Sequence, residues 1–126
     1  GSEMCKETAK DERVIVNELA PRPHNSGHYT IEACSFDQFD AHIRGIAGWP
    51  LEQPELLKPA VMVNVLGQHV APTRALIAEH PEWNMHDYCK AEVRHDRKMG
   101  HITVLTDDTR QTVADLERTG CWDDLK

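Results

Sequence analysis

The residues best placed to do chemistry stand in one short run. Residues 17–28 read Asn-Glu-Leu-Ala-Pro-Arg-Pro-His-Asn-Ser-Gly-His. Glu18 offers carboxylate oxygens of the kind Mg²⁺ takes together with phosphates and water. By itself it could equally be a solvated carboxylate ending a strand. Arg22 carries a planar fork suited to a phosphate or carboxylate. His24 and His28 supply groups whose charge changes near neutral pH. Asn25, Ser26 and Gly27 could turn side-chain and backbone N–H groups toward an anion, although the same three types also make turns for conformational reasons alone. Pro21 and Pro23 fix their own φ and stiffen the run. Together these groups favour a small-molecule site on a rigid loop over a plain turn.

A second cluster is basic. Lys90, Arg94, Arg97 and Lys98 lie within nine positions of an otherwise acidic chain. Read alone, they are a solvated charged turn interleaved with Asp87, Glu92 and Asp96. Folded into a hairpin or loop, several could converge on one phosphate of a small ligand. The four cysteines, Cys5, Cys34, Cys89 and Cys121, form no CxxC pair. Reduced thiols and a cytoplasmic setting are therefore expected rather than a disulfide framework. Cys34 has no sequence neighbour to complete a nucleophile pair. The eight histidines do not stand at zinc-ligand spacings.

The elements that must position these groups follow from periodicity. Residues 13–19 read as a strand, with Glu18 on the face of Val14 and Val16. The loop 20–29 comes next. Phe36, Phe39, Ile43, Ile46 and Ala47 recur at helical spacing. Ser35 is the expected N-cap, with Gln38 as capping-box partner, and Gly48 and Pro50 end the helix. A proline-containing connector covers 49–58. Residues 61–66 form a core strand ended by Gly67, and 72–79 a short helix with Pro72 in its first turn. Strands are expected over 85–88 and 101–105. A last helix is capped by Asp107 or Asp108 and stops before Gly120. Trp49, Trp83 and Trp122 are expected to pack at element ends.

At 126 residues the chain matches one ordinary domain or a piece of a larger protein. Its net charge of −7 argues against bulk nucleic-acid binding. No apolar run approaches the roughly 20 residues of a membrane span.

Residues 17–30 closely resemble the signature of the N5-carboxyaminoimidazole ribonucleotide synthetase family, ATP-dependent ligases of purine biosynthesis. Three further stretches resemble the same family in the same order. They are residues 38–51, residues 59–67, and residues 88–101 with Lys90, Arg94, Arg97 and Gly100-His101.

The resemblance implies an α+β fold, the C-terminal part of an ATP-grasp domain (1–58) followed by a small mixed strand and helix C-terminal domain (59–126). It implies a reaction in which ATP phosphorylates bicarbonate and the amine of aminoimidazole ribonucleotide is then carboxylated. Carried over by motif, Glu18 would hold Mg²⁺ with Glu3 as a second carboxylate, and Asn17 would lie beside Glu18 at the nucleotide. Arg22 and His24 would face the reacting groups, with Asn25, Ser26 and His28 toward the substrate. Lys90 and Arg97 would hold the 5′-phosphate. Cys89 and Asp96 stand where the family often has Gly, which matters if φ is positive there. The N-terminal portion of the family has no counterpart in the chain. Inactivity of the chain alone, and a homodimer formed through bare strand edges, are therefore expected. The alternative is a non-catalytic module that binds a ribonucleotide phosphate.

Overall fold

A computed structural model describes residues 19–125. The expected strand over 13–19 falls outside the described residues except for Leu19, an exposed coil residue. Glu3, Asn17 and Glu18 also lie outside them.

Three antiparallel strands form the sheet: β1 (Ala60–Leu66), β2 (Asn84–Asp87) and β3 (Lys98–Leu105), in the order β1-β3-β2. β3 starts three residues earlier than expected. Gly100 reads as a strand breaker but stands inside the ladder, paired with Val65 and Asp87. A Cβ there would lie 2.3 Å from the carbonyl oxygen of His86, so the close approach of β2 requires glycine.

The two faces of the sheet differ in chemistry. Val63, Ile102 and Met85 form one cross-strand row. They join a core of Val65, Val70, Trp83, Val104, Leu116 and Trp122, supplied by the sheet, α3 (Val70–Leu76), α4 (Thr109–Arg118) and their flanks. Trp83 and Trp122 are buried as expected, and the Trp122 indole N–H donates to the Asn64 carbonyl at 2.9 Å. The next row is Asn64, His101 and His86. The expected core strand over 61–66 is therefore only partly core: Val65 is its fully buried residue, and Asn64 lies in the polar row.

Helix ends follow local hydrogen bonding. Asp108 caps α4, accepting from Gln111 N–H at 3.0 Å, and Gly120 beyond it has φ +75°. α3 begins at Val70 rather than Pro72, after a 3-10 turn at Gly67–His69. Pro72 is tolerated because first-turn N–H groups need no intrahelical partner. Ser35 is not the cap of α2 (Gln38–Ala47). Asp37 caps it, accepting from Phe39 and Asp40 N–H at 2.8 and 2.9 Å. The Ser35 hydroxyl instead accepts from Glu55 N–H at 2.9 Å, tying the entry of α2 to the connector. Gly48 ends α2 at φ +68°, as expected.

The apolar face of α2 is open. Ile43 is 61% exposed, Ile46 73% and Trp49 66%, so Trp49 is not the packing residue expected. One further element was absent from the sequence reading: the single turn α1 (Thr30–Ala33). Ala33 is fully buried, and its carbonyl accepts from Leu57 N–H at 2.7 Å. That bond ties α1 to the connector, while packing on β3 and the bond from His86 to Glu32 set it over the polar row of the sheet.

Candidate functional site

The histidine run forms a compact turn clasped by one side chain. Residues Asn25–Gly27 make a 3-10 turn with His24 as its N-cap. The His24 ring nitrogen Nδ1 accepts from Ser26 N–H at 3.3 Å and lies 3.0 Å from Ser26 Oγ. Because a backbone N–H can only donate, Nδ1 carries no proton, and the ring proton sits on Nε2 as a donor. From the start of α2, Gln38 Oε1 accepts from His24 N–H at 2.8 Å. Gln38 Nε2 donates to His24 O and to His28 Nδ1, both at 2.8 Å. The same donor logic makes His28 a neutral ring with its proton on Nε2. Burial, then Lys98, His24 and His86, lower its pKa and hold it in that form.

Below the turn the rings stack into a column. Phe39 stacks on His28 at 5.6 Å between centroids, His28 on His101 at 4.9 Å, and His101 on His86 at 4.5 Å. His101 is 2% exposed. Burial, with His86 and His28 adding to it, lowers its pKa to about 4. Its Nδ1 meets the Tyr88 hydroxyl at 2.8 Å. Burial raises the Tyr88 pKa, so the phenol stays protonated and donates. At the foot of the column, His86 Nε2 donates to Glu32 of α1 in a short bond. Several buried polar atoms in this layer lack a protein partner: Asn25 Oδ1, Glu32 Oε2, Asn64 Oδ1 and His101 Nε2. Such a polar layer has room for bonds to water or ligand.

The basic cluster occupies the connection between β2 and β3. Lys90 Nζ lies 5.7 Å from the Tyr88 ring centroid and donates to the Lys98 carbonyl at 2.6 Å. Lys90 is therefore joined through Tyr88 to His28 and the turn. Arg97 and Arg22 are exposed, and among the described residues their side chains bond to nearby carbonyls, those of Glu92 at 3.2 Å and Pro23 at 3.2 Å. The structure thus gathers His24, Asn25, Ser26, His28 and Lys90, and leaves Arg22 and Arg97 at the surface. Cys89 and Asp96 both have positive φ, +52° and +59°, so the turn keeps its shape with a Cβ at each. Asp96 turns to Gln68, whose Nε2 donates to it at 2.9 Å.

Sequence reasoning missed Tyr88, His101, His86 and Glu32 as parts of this site, and gave Gln38 only a capping role. One signal was available. His86 and Tyr88 are two apart on a strand and must share a face. Among the described residues, no group of three or more His, Cys, Asp and Glu could hold a metal ion. The two carboxylates expected to hold Mg²⁺, Glu3 and Glu18, lie outside the described residues. Free thiols stand at Cys34, Cys89 and Cys121. Among the described residues no helix is long and apolar enough to cross a membrane.

Residues 2–39 match the ATP-grasp domain family, and residues 60–115 match the phosphoribosylaminoimidazole carboxylase C-terminal domain. These two matches mark the chain as an ATP-grasp segment followed by a C-terminal domain of that type. The N5-carboxyaminoimidazole ribonucleotide synthase of Staphylococcus saprophyticus is 55% identical over 101 residues, which cover 79% of this chain and 27% of that protein. The crystal structure of N5-carboxyaminoimidazole synthetase from Staphylococcus aureus complexed with ADP superposes with a TM-score of 0.79 at 52% identity, covering 86% of this chain and 30% of that one. The Aspergillus clavatus enzyme in complex with ADP and 5-aminoimidazole ribonucleotide gives 0.73 at 34% identity, covering 87% and 31%. The chain belongs to the N5-carboxyaminoimidazole ribonucleotide synthase family, and it spans 27% to 31% of the length of these relatives.

Proposed function

We propose that this chain supplies the C-terminal part of an ATP-dependent ligase that carboxylates 5-aminoimidazole ribonucleotide with bicarbonate, working in the cytoplasm. The observation that carries the reading is the unbroken contact path from the His24 turn through Gln38 and His28 to Tyr88 and Lys90. A ribonucleotide needs such a path, with polar donors at its reacting end and a cation at its phosphate end.

In this reading residues 1–58 end an ATP-grasp domain and 59–126 form the small C-terminal domain. ATP transfers its γ-phosphoryl group to a bicarbonate oxygen. The amine nitrogen then forms a bond to the carboxyl carbon as the C–O bond breaks, and phosphate leaves with that electron pair and takes up the proton the amine gives up. His24, with its proton on Nε2, donates to a carboxyl oxygen as charge gathers there. Arg22 swings from the surface to the same anion, and Asn25, Ser26 and His28 orient the substrate. Lys90 and Arg97 hold the 5′-phosphate as a charge-assisted clamp. Asn17 and Glu18 belong to the nucleotide end, and Glu18 and Glu3 are the Mg²⁺ carboxylates.

The chain alone is expected to be inactive, since most of the length of its relatives lies outside it. Calorimetry with 5-aminoimidazole ribonucleotide, with and without Mg-ATP, tests the site. Turnover assays with and without the remaining portion in trans test the activity. Turnover restored by that portion supports the ligase reading. Ribonucleotide binding with no restored turnover would favour the non-catalytic module instead. Light scattering tests the homodimer, and a monomer at high concentration counts against it.

A further inference from the structure

We propose that Tyr88 is a positioning residue that sets the spacing between the histidine turn and the Lys90 cation, and through that spacing carries a preference for a 5′-phosphorylated ligand. This rests on the reading of the site proposed above.

Tyr88 touches both ends of the path. Its ring meets His28 edge-on, at 6.1 Å between centroids and 78° between planes. Lys90 Nζ stands 5.7 Å from the centroid of the same ring. The ring itself is fixed from two sides. Its hydroxyl donates to His101 Nδ1 at 2.8 Å, and its backbone N–H donates to the Met99 carbonyl at 2.9 Å. Lys90 is held in turn by the Lys98 carbonyl at 2.6 Å, so its ammonium has a platform below and an acceptor beside it. His101, which receives the hydroxyl, is buried in the imidazole column and stands in the centre strand of the sheet. The Tyr88 ring therefore refers both ends of the site to one rigid strand. A ligand that places polar atoms at His24 and a phosphate at Lys90 meets two anchors at a fixed spacing. A ligand without the phosphate meets one. Without the ring, the Lys90 stem loses its platform and the phosphate anchor spreads over many positions.

The test is calorimetry on this chain with 5-aminoimidazole ribonucleotide and with the corresponding riboside lacking phosphate. The wild type is expected to prefer the ribonucleotide by about 30-fold, the scale of a charge-assisted contact to phosphate. Tyr88→Leu is expected to cut that preference to about threefold, and Tyr88→Met, whose flexible chain fills the same space without a ring, to do the same. Tyr88→Phe keeps the ring and is expected to keep the preference, while the ¹⁵N signals of His101 shift because its donor is gone. Thermal unfolding run beside each variant excludes global collapse, and the Met variant decides if the Leu variant does not fold. Wild-type preference in the Leu or Met variant, or its loss in the Phe variant, overturns the inference and leaves the proposed function standing. Equal wild-type binding of both ligands also overturns the inference alone. A wild type that binds neither overturns the proposed site and the inference with it.

Discussion

Gln38 and His24 form a two-way pair: Oε1 of Gln38 accepts from the His24 backbone N–H at 2.8 Å, and Nε2 donates to the His24 carbonyl at 2.8 Å. A side chain at the first position of α2 thus completes the backbone bonding of a turn fourteen residues earlier. Gln38→Ala leaves those groups and His28 Nδ1 without their partner. The expected loss is about 1–3 kcal/mol of stability, the cost of unpaired buried polar groups. Amide exchange over 24–28 should accelerate at least about tenfold, since 1.4 kcal/mol is a factor of ten. Gly27→Ala should act alike, because its Cβ would lie 2.5 Å from Gln38 Oε1. Unchanged protection of the turn in both variants would refute the clasp.

Stability should fall as the solution is acidified through the histidine range. His101 has its pKa lowered to about 4, and His28 is also lowered. An unfolded histidine titrates near 6.5, so between these values the unfolded chain binds more protons than the folded one. Stability therefore rises with pH in this window. It is fully present above about pH 7 and is lost as pH falls toward 4. His101 alone contributes on the order of 3 kcal/mol to this slope. Urea unfolding at several pH values measures it, and a curve flat from pH 4.5 to 7 would contradict a neutral, buried His101.

Gly100→Ala should displace β2. Its Cβ would collide with the His86 carbonyl oxygen at 2.3 Å, a backbone atom that cannot turn aside. The expected cost is about 1–3 kcal/mol or more, typical of overpacking. His86 and Tyr88 should move together, so ¹⁵N shifts of His101 should change as well. A variant with wild-type stability and unchanged histidine signals would show that the sheet yields more easily than its geometry indicates.

Cys89→Gly should stabilise the chain. Cys89 sits at φ +52°, where a Cβ costs about 1–2 kcal/mol. Its side chain offers only a weak contact, 3.7 Å to the Asp87 carbonyl. A gain of about 1 kcal/mol corresponds to roughly 4 °C in Tm for a chain of this size. Asp96→Gly should gain less, because Asp96 accepts from Gln68 Nε2 at 2.9 Å and pairs with His95 at 3.2 Å. Equal gains from the two substitutions would argue against that compensation.

Much of the local structure was legible from residue types. The helical spacing of Phe39, Ile43 and Ile46 marks α2, Gly48 marks its end, and an aspartate ahead of α4 marks its start. These are contacts between near neighbours, which spacing records directly. Ser35 shows the limit. It has the composition of a cap, but its hydroxyl is taken by Glu55, twenty residues away. Trp49 has the composition of a core residue but stands exposed on the open face of α2.

The motif over residues 17–28 and the basic group after Tyr88 determined, without coordinates, which residue types the site draws on and which family the chain belongs to. Which of those residues meet was decided only by tertiary structure. Antiparallel pairing puts His86 opposite His101, and the Asn25–Gly27 turn, held by Gln38, lays His28 over His101. That turns three unremarkable histidines into one stacked column with His101 buried at its centre, and makes Tyr88 the link to Lys90. Strand register and desolvation are properties of residues brought together from distant positions, so no local spacing could record them.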